Sequence, residues 1–174
     1  MSVSATGSGK TLPFQLLAHT WPAHICLVMI LPYQILNPEM KRRMNEIGIS
    51  CSKWSKDNNP NPTERVVTIP IESLSSTTCS SWLQFLGHSG NLGEIMFDEA
   101  NGIVEDQKFC DAYSTSVSHL LEITKSILLF CSATMPPNYM ADFWKLVKLP
   151  FKAQQCALTI CSPTHRANIF LSNS

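Results

Sequence analysis

The segment Ser4-Ala5-Thr6-Gly7-Ser8-Gly9-Lys10-Thr11 sets glycines, a lysine and a hydroxyl in the order that phosphate binding needs. Glycines adopt positive φ and let a phosphate approach the main chain, so backbone N–H groups can turn inward around it. Lys10 would reach the β/γ-phosphates and the Thr11 hydroxyl would ligate Mg²⁺. A helix beginning there would aim its positive end at the anion. Thr6, Gly7, Ser8, Gly9, Lys10 and Thr11 are therefore candidate nucleotide contacts. The strict pattern asks for glycine where this chain has Ser4, and an incidental glycine-rich turn is the competing reading.

A second segment, Ile95-Met96-Phe97-Asp98-Glu99-Ala100-Asn101, is an apolar run ending in two carboxylates. Asp98 at such a strand end suits Mg²⁺, and Glu99 suits polarising an attacking water. Two carboxylates after a strand are a weak signal alone, and they gain meaning from Lys10 upstream. The third segment, Phe130-Cys131-Ser132-Ala133-Thr134-Met135-Pro136-Pro137, again puts small polar residues after an apolar run. Hydroxyls at a strand's carboxyl end can hydrogen-bond a neighbouring acidic motif, in the crevice where open α/β sheets bind ligands. Standing alone it would read as a strand-to-turn transition.

These segments need a sheet to hold them. Short apolar runs at residues 24–31, 66–71, 94–97, 127–131 and 157–161 are bounded by turn signals, the pattern of central parallel strands covered on both faces. Helices are expected at 10–19, 80–86, 107–121 and 138–146. Another is expected over 33–46, where Leu36, Met40, Met44 and Ile47 recur at helical spacing and Gly48 stops the run. The alternation predicts an α/β domain with a mostly parallel sheet flanked by helices. Residues 55–64, rich in Asn and Pro, read as an exposed loop.

Composition bounds the function. The 174 residues suit one domain, and Lys+Arg 13 balances Asp+Glu 13, which excludes nucleic-acid binding by bulk charge. Any such contact must be local. The apolar run from Ile25 stops at Pro32, far short of the ~20 residues of a membrane helix, and no signal peptide precedes it. Seven scattered cysteines show no zinc or disulfide spacing and read as reduced core thiols. Trp21, Trp54, Trp82 and Trp144 are expected to pack, and the five histidines carry no assigned role. Lys41-Arg42-Arg43 reads as a solvated helix face in preference to a DNA contact.

Taken together, TGSGKT, the box DEAN, SAT followed by prolines, and the tail Thr164-His165-Arg166-Ala167-Asn168-Ile169-Phe170 resemble, in their order, the RecQ-like (superfamily 2, DExH-box) ATP-dependent DNA helicases. Ile30-Leu31-Pro32-Tyr33-Gln34-Ile35-Leu36 looks like the family's P-x-x-x-L nucleic-acid motif, and Thr68-Ile69-Pro70-Ile71-Glu72-Ser73 like its next strand with an acidic end. The resemblance runs from about residue 4 to residue 170. It implies a P-loop NTPase domain of RecA-like fold over residues 1–161, the first of a pair. Residues 162–174 would be a linker toward a second motor domain supplied in cis or trans.

The resemblance further implies ATP hydrolysis coupled to 3′-to-5′ movement on single- or double-stranded DNA, as in recombination and repair, and an intracellular, nuclear location with no membrane association. Lys10, Thr11, Asp98 and Glu99 would carry the ATP and Mg²⁺ chemistry. Asn101, Ser132, Ala133 and Thr134 would couple hydrolysis to strand separation, with Pro32, Tyr33 and Leu36 beside the tracked strand.

Three departures shape the expectation. Relatives carry His where this chain has Asn101, and the stretch after the box offers only Phe109 and Tyr113 for base stacking. Relatives place an adenine-binding segment and a first strand before the phosphate loop, so the loop is expected to lack a supporting strand. None of the arginines, Arg42, Arg43, Arg65 and Arg166, sits in a finger motif, and in the family that group comes from the second motor domain. Little unwinding by this chain alone is expected. The alternative is a catalytically degenerate nucleotide- or DNA-binding module. A small nucleotide kinase is disfavoured by the sparse arginines.

Overall fold

A computed structural model describes residues 1–3, 9–32, 36–57, 60, 63–105, 117, 120, 126–147 and 158–161. Seven parallel strands form one sheet among them: β1 (Ser2–Val3), β2 (Cys26–Leu31), β3 (Cys51–Lys53), β4 (Val66–Pro70), β5 (Leu92–Phe97), β6 (Leu128–Ser132) and β7 (Ile160–Cys161). Their spatial order is β3-β4-β2-β5-β6-β1-β7. The described helices are α1 (Leu12–Thr20), α2 (Leu36–Glu46), α3 (Thr77–His88), the short α4 (Gly102–Glu105) and α5 (Pro137–Val147).

The uninterrupted apolar run in β2 makes sense once both faces are covered. Leu27, Met29 and Leu31 pack with Phe14 and Ala18 of α1 and Met40 and Met44 of α2. Val28 and Ile30 pack on the other side, in a core that contains Trp82, Leu83 and Leu86 of α3 and Phe143 and Val147 of α5. Phe97 and Phe130 stack at 4.8 Å on adjacent strands, and Phe143 meets Phe130 edge-on at 5.2 Å. This aromatic cluster holds β5 and β6, the strands that carry the second and third motifs, to α5.

Four of the five expected strands are found as buried strands within a residue or two of their predicted bounds. The run 157–161 differs: only Ile160 and Cys161 are strand, and both are exposed, because β7 lies at the sheet edge instead of inside it. Helix 107–121 falls largely outside the described residues, although Val117 and Leu120 are helical and buried. β3 was not anticipated, since Cys51-Ser52-Lys53 is too short and polar to stand out.

The expected lack of a strand before the phosphate loop is corrected. Ser2 and Val3 pair with Cys131 and Ser132 on one side and with Ile160 and Cys161 on the other. Ile160 N–H also donates to the Met1 carbonyl at 2.8 Å. Two residues suffice because Val3 is buried in the core and its neighbours on both sides supply the ladder.

Cys26, Cys51, Cys79 and Cys131 are buried free thiols, and burial pushes Cys26 and Cys79 up to about 12. They behave as core residues. Cys161 is free and exposed, and Cys110 and Cys156 lie outside the described residues. Trp54 and Trp82 are buried, as packing residues should be, whereas Trp21 is partly exposed. No described helix is long and apolar enough to cross a membrane.

Candidate nucleotide site at the carboxyl edge of the sheet

Because every strand is parallel, the segments that follow β1, β5 and β6 all leave the sheet at one edge. That is where crevices open in α/β folds. Gly9 takes a positive φ of 83° and its carbonyl accepts from Leu12 N–H at 2.8 Å, turning the chain into α1. A residue with a side chain would be strained there. Thr11 is the N-cap of α1 and makes no side-chain capping bond, so its hydroxyl is not spent on the helix. Thr6, Gly7 and Ser8 lie outside the described residues.

The DEAN turn is laced to the strands on both sides of β5. Asp98 N–H donates to the Ile30 carbonyl of β2 at 3.0 Å, and Ala100 N–H donates to the Cys131 carbonyl of β6 at 2.8 Å. Between them Glu99 is the one described residue other than glycine with positive φ, at 49°. Such a conformation costs of order 1–3 kcal/mol and persists where surrounding contacts enforce it. Here the two flanking bonds enforce it, and Glu99 and Asp98 are left half-buried at the crevice.

Burial pushes the Asp98 carboxyl above its ordinary value, opposed by a hydrogen bond from Glu99 N–H (3.1 Å to Oδ1) and by the positive charge of Lys10. Cys131 beneath them is raised to about 11, by burial first and then by the Asp98 charge. Lys10, Asp98 and Glu99 are each near enough to Cys131 to act on it electrostatically, so the first two motifs face the same end of β6.

The third motif joins them directly. Ser132 Oγ lies 2.8 Å from Asn101 Oδ1 and 2.8 Å from the Thr134 carbonyl, and it accepts from Thr134 N–H at 3.2 Å. A hydroxyl has one proton to donate, so the two 2.8 Å contacts are alternatives for it. Ala133 is half-buried and Thr134 exposed at the rim. Pro32 directly follows β2 and is buried, so it offers no ring surface to a ligand. Leu36 is the first residue of α2, and Tyr33 lies outside the described residues.

On α2 the two arginines of the basic run are paired. Arg42 and Arg43 bond to Glu39 at 3.0 and 2.8 Å, and Arg42 also reaches Glu46. These hydrogen bonds hold the Glu39 carboxyl down at about 2. The arrangement fits a solvated, self-paired helix face.

One residue with a structural role was not found from sequence. The Arg65 guanidinium donates to the main-chain carbonyls of Ala18, Trp21, Pro22 and Ile25, clasping the end of α1 to the start of β2. It thereby fixes the far end of the helix whose beginning bears Thr11.

The sequence signature of the DEAD/DEAH box helicases is matched over residues 1–143. The chain belongs to this family. No curated protein sequence matches it. Among solved structures, this helicase domain is similar to the DUF1998 helicase MrfA bound to DNA, with a TM-score of 0.63 at 18% identity over 92% of this chain. It is also similar to MrfA bound to DNA and AMPPNP (TM-score 0.61, 18% identity, 93% of this chain). For the Mycobacterium smegmatis helicase Lhr bound to ssDNA and AMP-PNP the TM-score is 0.66 at 22% identity over 92% of this chain. The helicase domain spans 23%, 24% and 23% of those three chains respectively. At such identities the likeness is one of fold, the RecA-like sheet with flanking helices.

Proposed function

We propose that this chain is the first RecA-like motor domain of a RecQ-like DNA helicase, in which ATP hydrolysis drives 3′-to-5′ movement along DNA. The observation that carries the reading is the meeting of three motifs at one sheet edge: Lys10 acts on Asp98, and Asn101 touches Ser132. The names of the similar structures support DNA and an ATP analogue as ligands of this architecture.

The residues fit a Mg²⁺–ATP complex. Thr11 offers a hydroxyl not used in capping and Asp98 a desolvated carboxylate, hard oxygen donors of the kind Mg²⁺ takes. Those two would hold the ion, which supplies charge neutralisation on the phosphates. Lys10 would neutralise the β/γ-phosphate oxygens as α1 directs its amino end at them. Glu99, half-buried beside Asp98, would orient the attacking water and take its proton as the bond to the leaving ADP breaks. Ser132 would report the state of the site to the strand-binding surface through Asn101 and Thr134. A second motor domain would close the site and contribute the arginine.

The test is ATP turnover by this chain with and without single-stranded DNA, alone and with a second motor domain supplied. We expect negligible turnover alone and DNA-stimulated turnover with the second domain, lost in Lys10→Ala. Absence of stimulation by any DNA in the two-domain assembly would overturn the helicase reading. ATP binding that Lys10→Ala abolishes, without turnover, would leave the binding-module reading.

A further inference from the structure

At the amino edge of the sheet, opposite the nucleotide site, lies a pocket of about 350 Å³. Its walls include Trp21 just past α1, Gly87 and Gly90 at the end of α3, Glu94 in β5, and Ser126 and Ile127 leading into β6. Glu94 is 7% exposed, and its Oε2 is buried with no hydrogen-bond partner. A buried carboxylate oxygen left unpaired is costly, and none of the described lining residues is cationic.

The backbone brings Glu94 there by design of the strand. β2 and β5 are in register at Cys26 and Leu92 and again at Val28 and Ile95, so Gly93 and Glu94 together oppose Leu27. Two residues against one make a β-bulge, a device that re-aims side chains. Gly93 is required in it, because a Cβ would stand 2.5 Å from Leu27 Cδ2 and 2.8 Å from Ile25 Cγ2.

The surroundings favour positive charge. α3 presents its carboxyl end to the pocket, where the helix dipole is negative. The neighbouring α1 faces the same electrostatic situation, and there the protein supplies a guanidinium of its own, Arg65, to the terminal carbonyls. Trp21, 37% exposed, offers an indole for cation–π contact, and Ile127, 68% exposed, offers apolar surface for an aliphatic stem. A planar, weakly hydrated guanidinium matches an indole and a carboxylate together better than a compact ammonium does.

We propose that this pocket is a docking site for an arginine side chain of a partner polypeptide. The charge complementarity of Glu94 and the α3 terminus commits the occupant to a cation. The small volume, at the low end of ligand clefts, suits one side chain entering from a surface contact.

The test titrates the nucleotide-free 174-residue chain with the peptide acetyl-Gly-Arg-Gly-amide, its lysine analogue and the free guanidinium compound agmatine. Amide and indole NMR shifts are followed. We expect saturable binding of the arginine peptide, weaker binding of the lysine peptide, and shifts confined to Trp21, Gly87, Gly90 and their neighbours. Glu94→Gln, with an unchanged circular dichroism spectrum, should weaken the arginine peptide by about tenfold or more. Trp21→Ala should weaken it a few-fold. Binding of agmatine without the peptide would overturn the polypeptide source. Shifts centred elsewhere, no saturable binding, or equal affinity in Glu94→Gln would overturn the site. Should Glu94→Gln not fold, the wild-type shift map and the Trp21→Ala affinity decide.

Discussion

Ser132 Oγ and Asn101 Oδ1 stand 2.8 Å apart, so the end of β6 and the turn after β5 are joined by a side-chain hydrogen bond between two partly buried groups. Asparagine makes this contact with no ionisation near neutral pH, which a histidine there would bring.

The pair should therefore be energetically coupled. In a double-mutant cycle of Ser132→Ala and Asn101→Ala, urea denaturation should return a coupling of about 1 kcal/mol. In the two-domain assembly Ser132→Ala should depress DNA-stimulated turnover more than basal turnover. Additive single effects would show that the contact transmits nothing.

Asp98 should be a stability liability in the absence of nucleotide. Its folded-state carboxyl is raised above the ordinary 3.8, so its contribution to stability is fully present below that value and is lost as pH rises through the folded one. Asp98→Asn is then expected to raise Tm at neutral pH, with the advantage shrinking as pH falls toward about 4. The same variant should lose Mg²⁺-dependent nucleotide binding. Thermal melts of both proteins across that range check the sign.

Arg65 should matter for stability well beyond an exposed arginine. Its charge-assisted bonds to four carbonyls predict that Arg65→Met costs about 2 kcal/mol or more in urea denaturation. Arg65→Lys should restore only part of it, since one ammonium cannot span the end of α1 and the start of β2 together.

Gly93→Ala should destabilise the fold without touching the nucleotide-site candidates. The added methyl collides with Leu27 and Ile25, which overpacking places at about 1–3 kcal/mol. A reversible melt at reduced Tm with unchanged nucleotide affinity is the expected outcome.

That the second and third motifs share an edge was legible because parallel strands put their carboxyl ends together. Once 94–97 and 127–131 read as parallel strands, Asp98 and Ser132 belonged to the same edge, and the pairing of β5 with β6 makes them neighbours there. Their partners were not readable to the same depth: the positive φ of Glu99 depends on bonds to Ile30 and Cys131, which are remote in sequence. Arg65 escaped because main-chain carbonyls leave no residue-type signature. Glu94 was absorbed into an apolar run because the bulge that re-aims it is a matter of register with β2, and a glycine in a strand was the only available hint. β1 was missed for its brevity, since two residues carry no periodicity.

That brevity bears on the order in which the molecule assembles. β2, β3, β4 and β5 pair among themselves within residues 26–97, so their ladder can close while later residues are still being synthesised. β1 finds its partners only in Cys131–Ser132 and Ile160–Cys161, across most of the chain. Closing so long a loop carries the largest entropic cost in the sheet and pays back only two residues of pairing. β1, which leads into the candidate phosphate loop, is therefore expected to pair late in folding and to be lost early on partial unfolding. Nucleotide, by gripping that segment, would act on the fold as a late-stage clamp.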